Sequence, residues 1–333
     1  MKIAVLGTGS IGLRHLGLLR TIDGARPIAI PIRASRRSEL RALGYETAED
    51  LAAAAALGAS LCLVATDTGR HETDSREALQ RGFDLLVEKP VATDAEAALR
   101  VLERARALQR RVFVGCVVRF SESLKTFRQR LADVGEAHAV RIECQSYLPS
   151  WRPDRPHQNS YSARAEEGGV LRDLIHEIDY AGWIFGWPVA LSARLRNTGR
   201  LGIAAEEMAE LMWETPAGAS VSVALDYLTQ PPRRRMRVSG SRGTIEWDGM
   251  EQTVTVDFPG GSRTTVPSSQ TRDAMIREEL LAWLNARHGV VDERLATAEE
   301  GLRALAVCDA ARQASDAHRE ATVEERWPVP LSA

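Results

Sequence analysis

Residues 7–12 read Gly-Thr-Gly-Ser-Ile-Gly, a G-x-G-x-x-G run. In a dinucleotide site the three glycines serve in turn to make a tight turn, to let the backbone approach a pyrophosphate, and to pack a helix closely on a strand. A helix opening just after the turn presents unsatisfied N–H groups and a positive dipole end to phosphate. Gly7, Gly9, Ser10, Ile11 and Gly12 are therefore expected to line a bound dinucleotide. An acidic residue about 20 positions further on would bind a ribose 2′-hydroxyl and favour NAD. Here the chain reads Ile30-Pro31-Ile32-Arg33-Ala34-Ser35-Arg36-Arg37, with no acid. Arg33, Ser35, Arg36 and Arg37 suit a 2′-phosphate through charge-assisted hydrogen bonds, which predicts NADP(H) over NAD(H). The alternative is a solvated helix start in an arginine-rich chain.

Among 43 basic residues only Lys2, Lys89 and Lys125 are lysines, so each retained lysine stands out. Lys89 lies in Val87-Glu88-Lys89-Pro90, at the C-terminal edge of a strand-like run. That edge is where open α/β sheets bind ligands, and an amine there can stabilise negative charge developing on a substrate oxygen. A solvated loop lysine is the plainer reading. Thr66, Thr68 and His71 follow another strand-like run and are placed either to touch ribose or phosphates or to cap a helix. The segment Tyr147–Arg164 is polar, aromatic and proline-rich. Long irregular segments of this kind often carry binding residues. Tyr147, Trp151, Arg152, Tyr161 and Arg164 are expected to stack on sugar faces or pair with phosphate or carboxylate, the alternative being a flap packed on a neighbouring domain or subunit. Arg119 is a further candidate anion contact.

The elements that must position these groups are legible in outline. Strand-like runs at Lys2–Gly7, Pro27–Ile32, Ser60–Ala65, Asp84–Val87 and Val112–Val117 alternate with amphipathic runs, as in a doubly wound sheet. Asp94 is a plausible helix start. From Glu207 the pattern becomes strand-rich: Glu207–Glu214, Ser220–Leu228, Arg235–Ser239, Thr244–Trp247, Thr253–Phe258 and Arg263–Val266, with Ala139–Tyr147 added from upstream. Short turns between them match antiparallel connections. Helices are expected near Thr271–Arg287 and Ala298–Ser315. The resulting expectation is an α/β Rossmann domain over 1–120 and an α+β domain over 121–333 with an open, mostly antiparallel sheet, the last helix returning to the first domain. Val221, Val223 and Leu225 are assigned to the sheet face opposite the helix, an apolar surface that would be a liability in a monomer. A homodimer or homotetramer through that face is expected.

Composition excludes several classes. With 333 residues, 44% hydrophobic content, 26% charged content and a net charge of −2, the chain is an ordinary globular one long enough for two cores. It lacks the basic excess of a nucleic-acid-binding surface. No apolar run reaches the roughly 20 residues of a membrane span. Met1–Leu6 is too short and strand-like for a secretory signal, and the four cysteines are widely spaced with no CxxC pair, so a cytoplasmic location is expected. No HxxxH or CxxC spacing suggests a metal.

Glu88-Lys89-Pro90 at a strand end, together with the opening glycine motif, resembles the Gfo/Idh/MocA oxidoreductase family. Gly7–His15 (GTGSIGLRH), Tyr147–Pro153 (YLPSWRP) with Tyr161–Arg164 (YSAR), and Gly168–Tyr180 (GGVLRDLIHEIDY) resemble its nucleotide-sugar and sialic-acid-related branch. The resemblance implies a mechanism. The E-K-P lysine, here Lys89, contacts the nicotinamide region and the reacting hydroxyl, and its bond to proline, here Pro90, is often cis. Glu88 helps to shape the nicotinamide pocket. A histidine on the first helix of the C-terminal domain, here His176, acts as acid/base, a role its ordinary pKa near 6.5 suits. An aspartate one turn earlier, here Asp173, supports it. Both would also meet the substrate. Many relatives space that pair four apart, whereas here the interval is three, which still keeps both on one helix face. A different alignment puts Arg172 in the aspartate's place. Relatives also often carry a polar residue where this chain has Val117. The function implied is hydride transfer to or from a carbonyl or hydroxyl carbon of a sugar, nucleotide sugar or cyclic polyol. The alternatives are a non-catalytic dinucleotide sensor on the same scaffold and a reductase of a non-sugar substrate.

Overall fold

The computed structural model describes residues 1–324. The described residues divide into two compact units, Met1–Val117 with Thr271–Leu302, and Val118–Gln270 with the described residues from Arg303.

The first unit is a parallel sheet with helical crossovers. Its strands are β1 (Lys2–Leu6), β2 (Arg26–Ile30), β3 (Glu46–Thr47), β4 (Ala59–Val64), β5 (Asp84–Glu88) and β6 (Val112–Gly115), in spatial order β6-β5-β4-β1-β2-β3. Ile3–Leu6, Leu61–Val64 and Leu85–Val87 are buried throughout, the continuous apolar pattern of strands covered on both faces. The intervening helices are α1 (Ser10–Leu19), α2 (Arg36–Ala42), α3 (Leu51–Ala56), α4 (His71–Gln80) and α5 (Ala95–Ala107). The α5 start at Asp94 is as expected: its carboxylate accepts from the Ala97 N–H at 2.8 Å. Beyond a single cut near residue 120, the structure adds Thr271–Leu302 to this unit. Helix α9 (Arg272–Ala286) packs on α1, and β15 (Ala296–Thr297) joins β6 antiparallel. Two-residue strands such as β3 and β15 carry no periodicity, so nothing in the sequence announces them. Helix α10 (Ala298–Ala317) opens with a capping box: the Glu300 N–H donates to Thr297 Oγ1, and the Thr297 N–H donates to the Glu300 carboxylate.

The second unit is built on a sheet of, among the described residues, β7 (Ala137–Gln145), β8 (Ala190–Arg196), β9 (Met208–Glu214), β10 (Ser220–Asp226), β11 (Arg233–Gly240), β12 (Thr244–Asp248), β13 (Thr253–Asp257), β14 (Arg263–Pro267) and β16 (Ala321–Thr322). The order is β14-β13-β12-β11-β7-β10-β9-β8-β16, with only the β7–β10 pair parallel. Helix α6 (Glu122–Arg130) packs on β12 and β13, while α7 (Val170–Asp173) and α8 (His176–Phe185) pack on β7, β9 and β10.

One expectation about this sheet is overturned. Val221, Val223 and Leu225 are buried within the single chain, because strand alternation turns them toward the helices together with Val140, Ile142, Leu211 and Trp213. The opposite face carries Arg141, Glu143, Glu210, Met212, Ser222, Arg235 and Arg237, so it is polar rather than a bare apolar surface. The element expected to carry Asp173 and His176 on one continuous helix is also broken. Leu174 and Ile175 separate α7 from α8, so Asp173 closes one helix and His176 opens the next.

Candidate active site

The turn after β1 is fixed by backbone contact. The Gly7 N–H bonds the Ile30 carbonyl at 3.0 Å, and the Ala65 N–H bonds the Leu6 carbonyl at 2.8 Å, drawing the ends of β1, β2 and β4 together. Gly7 has φ +93, and a Cβ there would sit 2.5 Å from the Ala65 carbonyl oxygen. A Cβ on Gly12 would lie 2.0 Å from the Gly7 carbonyl oxygen, so α1 can rest on β1 only with glycine at that position. At Gly9 an added Cβ would meet nothing within 4 Å. The tight positions are thus the turn and the helix contact, while the middle glycine faces open space at the start of α1, where Gly9 and Ser10 are exposed and no side chain caps the helix. An uncapped helix start beside a backbone with no side chain in the way fits a dinucleotide pyrophosphate.

At the end of β2, Arg33 and Ser35 are exposed and Arg36 and Arg37 half-buried. Arg36 and Arg37 make only long ion pairs, Arg36 with Glu39 at 3.9 Å and Arg37 with Glu49 at 3.6 Å. No acid follows β2 before Glu39. The donors are therefore only weakly engaged.

At the end of β5 the chain forms a compact polar knot. The Lys89–Pro90 peptide is cis. The Glu88 carboxylate bonds His15 Nε2 at 2.6 Å, with His15 buried on the inner face of α1. Burial pushes the Glu88 carboxyl up, but the His15 hydrogen bond and charge, with the charges of Lys89 and His71, outweigh it and hold the group below the ordinary carboxylate value. A Cβ on Gly115 would crowd Glu88 Oε2 at 3.3 Å, so the neighbouring strand leaves room for that carboxylate. His71, also buried, ties Pro90 to the loop after β4: Nδ1 lies 2.7 Å from the Pro90 carbonyl oxygen and Nε2 3.0 Å from that of Thr66. The Thr66 hydroxyl donates to Asp74 at 2.8 Å, an acid that Arg70 also holds, and Thr68 is buried. Of the two roles open to these residues, the Thr66 and His71 side chains are engaged in shaping the loop and the start of α4.

In the second unit, Asp173 and His176 are both buried. Asp173 Oδ2 accepts a 2.6 Å hydrogen bond from the Tyr227 hydroxyl. Arg172 donates to the carbonyls of Ala165 and Gly168, so it serves the preceding loop. The irregular segment forms short 3-10 turns at Leu148–Trp151, His157–Asn159 and Tyr161–Ala163. It walls a small cavity of about 20 Å³, lined in part by Trp151, Arg152, Arg155 and Ser162. Trp151 is 38% exposed, and the Arg152 guanidinium lies 5.9 Å from the Tyr161 ring centroid. Tyr147 is half-buried, and Arg164 pairs with Glu167.

Arg119 is a correction. As a candidate anion contact it would need to reach ligand, yet it is fully buried and bonds Asp179 through two nitrogens at 2.9 and 2.7 Å. Trp183 stacks over it at 5.2 Å. The pair is internal because Arg119 follows β6 directly into a 3-10 turn whose side chains point into the core. Sequence reasoning also misses His15 and Tyr227. His15 shares a helix face with Gly12, Leu16 and Leu19, and a lone polar residue in such a stripe is the available signal. Tyr227 lies 54 residues from its partner, and no local pattern reports that contact.

Comparison with known proteins agrees with the fold. Residues 1–116 match the family model described as an oxidoreductase family with an NAD-binding Rossmann fold, and residues 125–246 match the GFO/IDH/MocA C-terminal domain. An inositol 2-dehydrogenase of Streptomyces avermitilis is 27% identical across 97% of this chain and 94% of its own. Another from Burkholderia vietnamiensis is 30% identical over 68% of this chain and 67% of its own. Among solved structures, the WlbA dehydrogenase of Bordetella pertussis, in complex with NADH and UDP-GlcNAcA, shares the fold. It has a TM-score of 0.83 at 19% identity, covering 99% of this chain and 98% of that one. The chain belongs to the Gfo/Idh/MocA family and is an NAD(P)-dependent oxidoreductase. Among the described residues no helix is long and apolar enough to cross a membrane, and no group of three or more His, Cys, Asp or Glu gathers as a metal site.

Proposed function

We propose that this enzyme uses NADP(H) to move hydride to or from the carbonyl or hydroxyl carbon of a sugar, nucleotide sugar or cyclic polyol. The observation that carries the reading is the first unit's turn at Gly7–Gly12, closed against Ala65 with Gly9 left open, and tied through His15 to Glu88 at the end of β5, which Lys89 follows. The nicotinamide supplies the hydride chemistry, and the chain supplies position and proton transfer. Lys89 stabilises charge on the substrate oxygen, and His176 gives or takes the proton, supported by Asp173. Preference for the 2′-phosphate is supported by the weakly engaged Arg33, Arg36 and Arg37 with Ser35, and by the absence of an acid at the end of β2. Thr66, Thr68 and Pro90 border the cofactor through backbone that His71 and Asp74 hold in place.

Two substrate groups are open within this reading. The motifs at 7–15, 147–153 and 168–180 point to a nucleotide sugar, whereas the two curated relatives are named for inositol. The loop surface carrying Trp151, Arg152 and Arg155 favours a sugar bearing an anionic group, since an indole edge and two guanidinium groups suit a ring with phosphate or carboxylate attached. Tyr147, Tyr161 and Arg164 complete that loop. The four cysteines are buried free thiols, which suits a reducing cytoplasm. A homodimer or homotetramer through the outer face of the second sheet is supported by Met212, 58% exposed, among alternating charges such as Arg194 opposite Glu210 and Arg235 opposite Glu143. A monomer by light scattering would overturn the assembly.

The test of the function is a screen of inositols, keto-sugars and UDP-sugars with NADPH and NADH. Turnover with NADPH that is abolished in Lys89→Met and His176→Ala supports the reading. Silence on every substrate, or normal turnover in either variant, overturns it.

A further inference from the structure

Tyr227 follows β10 and is fully buried. Four separate contacts fix it. Its N–H bonds the Glu207 carbonyl at 2.9 Å, and its own carbonyl accepts from the Leu148 N–H at 3.0 Å, which ties it to the first turn of the 148–162 segment. Its ring meets the Trp151 ring edge-on, with centroids 5.4 Å apart. Its hydroxyl donates to Asp173 Oδ2 at 2.6 Å. The Asp226 carboxylate beside it caps the following turn by accepting from the N–H groups of Leu228 and Thr229. One residue therefore joins the wall of the 148–162 cavity, through Leu148 and Trp151, to the last residue of α7.

Burial, then the Asp173 charge and the hydrogen bond to it, push the Tyr227 phenol well above its ordinary value. The group thus remains an O–H donor across the neutral range, and Asp173 receives a short charge-assisted bond. A carboxylate can rotate about its terminal torsion, and a single strong donor on Oδ2 decides which oxygen is turned the other way.

We infer that Tyr227 is a positioning residue: it fixes the Asp173 carboxylate for acid/base chemistry and, through its contact with Trp151, makes that orientation depend on the seating of the 148–162 segment. The inference rests on the acid/base roles given above to Asp173 and His176. It adds a route by which contact at the loop surface reaches the proton-transfer group: a substrate that shifts Trp151 shifts the ring that holds Asp173.

The experiment is a double-mutant cycle on the full chain with Tyr227→Phe, which keeps the ring, and Asp173→Asn. Tyr227→Phe is expected to lower kcat about tenfold, the scale of one lost charge-assisted hydrogen bond, with the cofactor Kd within about twofold of wild type. It should also displace a limb of the kcat–pH profile. Tyr227→Phe added to Asp173→Asn should cost nothing further, because the hydroxyl acts through that carboxylate. Effects that multiply, or a Tyr227→Phe enzyme with the wild-type kcat and pH profile, overturn the inference. If Tyr227→Phe fails to fold, Trp151→Leu, at a partly exposed site, replaces it in the same cycle; a smaller loss of kcat that vanishes on Asp173→Asn is expected, and multiplication again overturns it. If wild type turns over no substrate, the functional reading fails by itself. The positioning claim is then read from the nitrogen-15 NMR signal of His176, assigned with His176→Ala: Trp151→Leu or Tyr227→Phe should move it, and an unmoved signal overturns the claim.

Discussion

The two regions given chemical roles are held by different physics. At the nucleotide turn the constraint is backbone sterics between residues close in sequence or on adjacent strands: a Cβ at Gly12 would collide at 2.0 Å and one at Gly7 at 2.5 Å. Around Asp173 and His176 the constraint is a set of buried side-chain partnerships across long sequence separations, Tyr227 with Asp173 and Arg119 with Asp179. The first kind of site tolerates no substitution at a few positions and is indifferent at others. The second tolerates many shapes but no missing partner.

Glycine replacements should expose the first half of that contrast most strongly. Gly12→Ala forces α1 off β1 and is expected to abolish cofactor binding or soluble expression. Gly9→Ala meets open space, so it should fold with a near-normal Tm and lose only the approach to pyrophosphate, about a tenfold weaker cofactor Kd. Equal damage from both, measured by thermal melting and NADPH titration, would break the distinction between structural and ligand-facing glycines.

In the second region the largest stability effect should come from Arg119→Met. It leaves Asp179 charged, buried and unpaired, which costs about 3–5 kcal/mol of unfolding free energy. The double replacement Arg119→Met with Asp179→Leu should recover most of that loss, because burying two apolar groups avoids desolvating two charges. Chemical denaturation reads both. By contrast, loss of Arg81 from its exposed pairing with Glu77 should change stability by less than about 0.5 kcal/mol.

Legibility in the sequence follows the same division. The strand–turn–helix at 2–19, the parallel alternation through β6, the Asp94 start and most of the second sheet are readable, because each is encoded by local sterics, capping or strand period. The seating of Arg119 is not, since a motif-adjacent arginine looks the same in sequence whether it faces a ligand or a buried aspartate. The facing of Val221, Val223 and Leu225 escapes for a related reason: alternation says which residues share a face, not which face the helices cover. Strand β8 is available in the alternation of Leu191, Ala193 and Leu195. The break at Leu174–Ile175 is not, because helical spacing continues across it in sequence.

Cofactor choice offers a sharper test of the first region. Arg33→Ala and Arg36→Ala together should weaken NADPH about tenfold, near 1.4 kcal/mol, while leaving NADH unchanged, because only one of the two cofactors carries the 2′-phosphate. Tighter binding of NADH than NADPH by wild type would remove the arginines from that role while leaving the glycine turn intact.

A subtler effect concerns Glu88, where the first region borrows the second region's device, a side-chain partnership, here with the buried His15. His15, Lys89 and His71 hold the Glu88 carboxyl below its ordinary value of 4.5 in the folded state despite burial. A depressed folded-state value means that the unfolded chain binds the proton more readily. The stabilisation is then complete above about pH 4.5 and is lost as the pH falls through the lower folded-state value. Glu88→Gln removes that linkage, so its stability should fall less steeply than wild type on acidification below about pH 4.5. Urea denaturation at several pH values measures the two slopes. Parallel slopes would mean that the Glu88–His15 contact contributes no proton-linked stability, and that the turn at Gly7–Gly12 is held by backbone sterics alone.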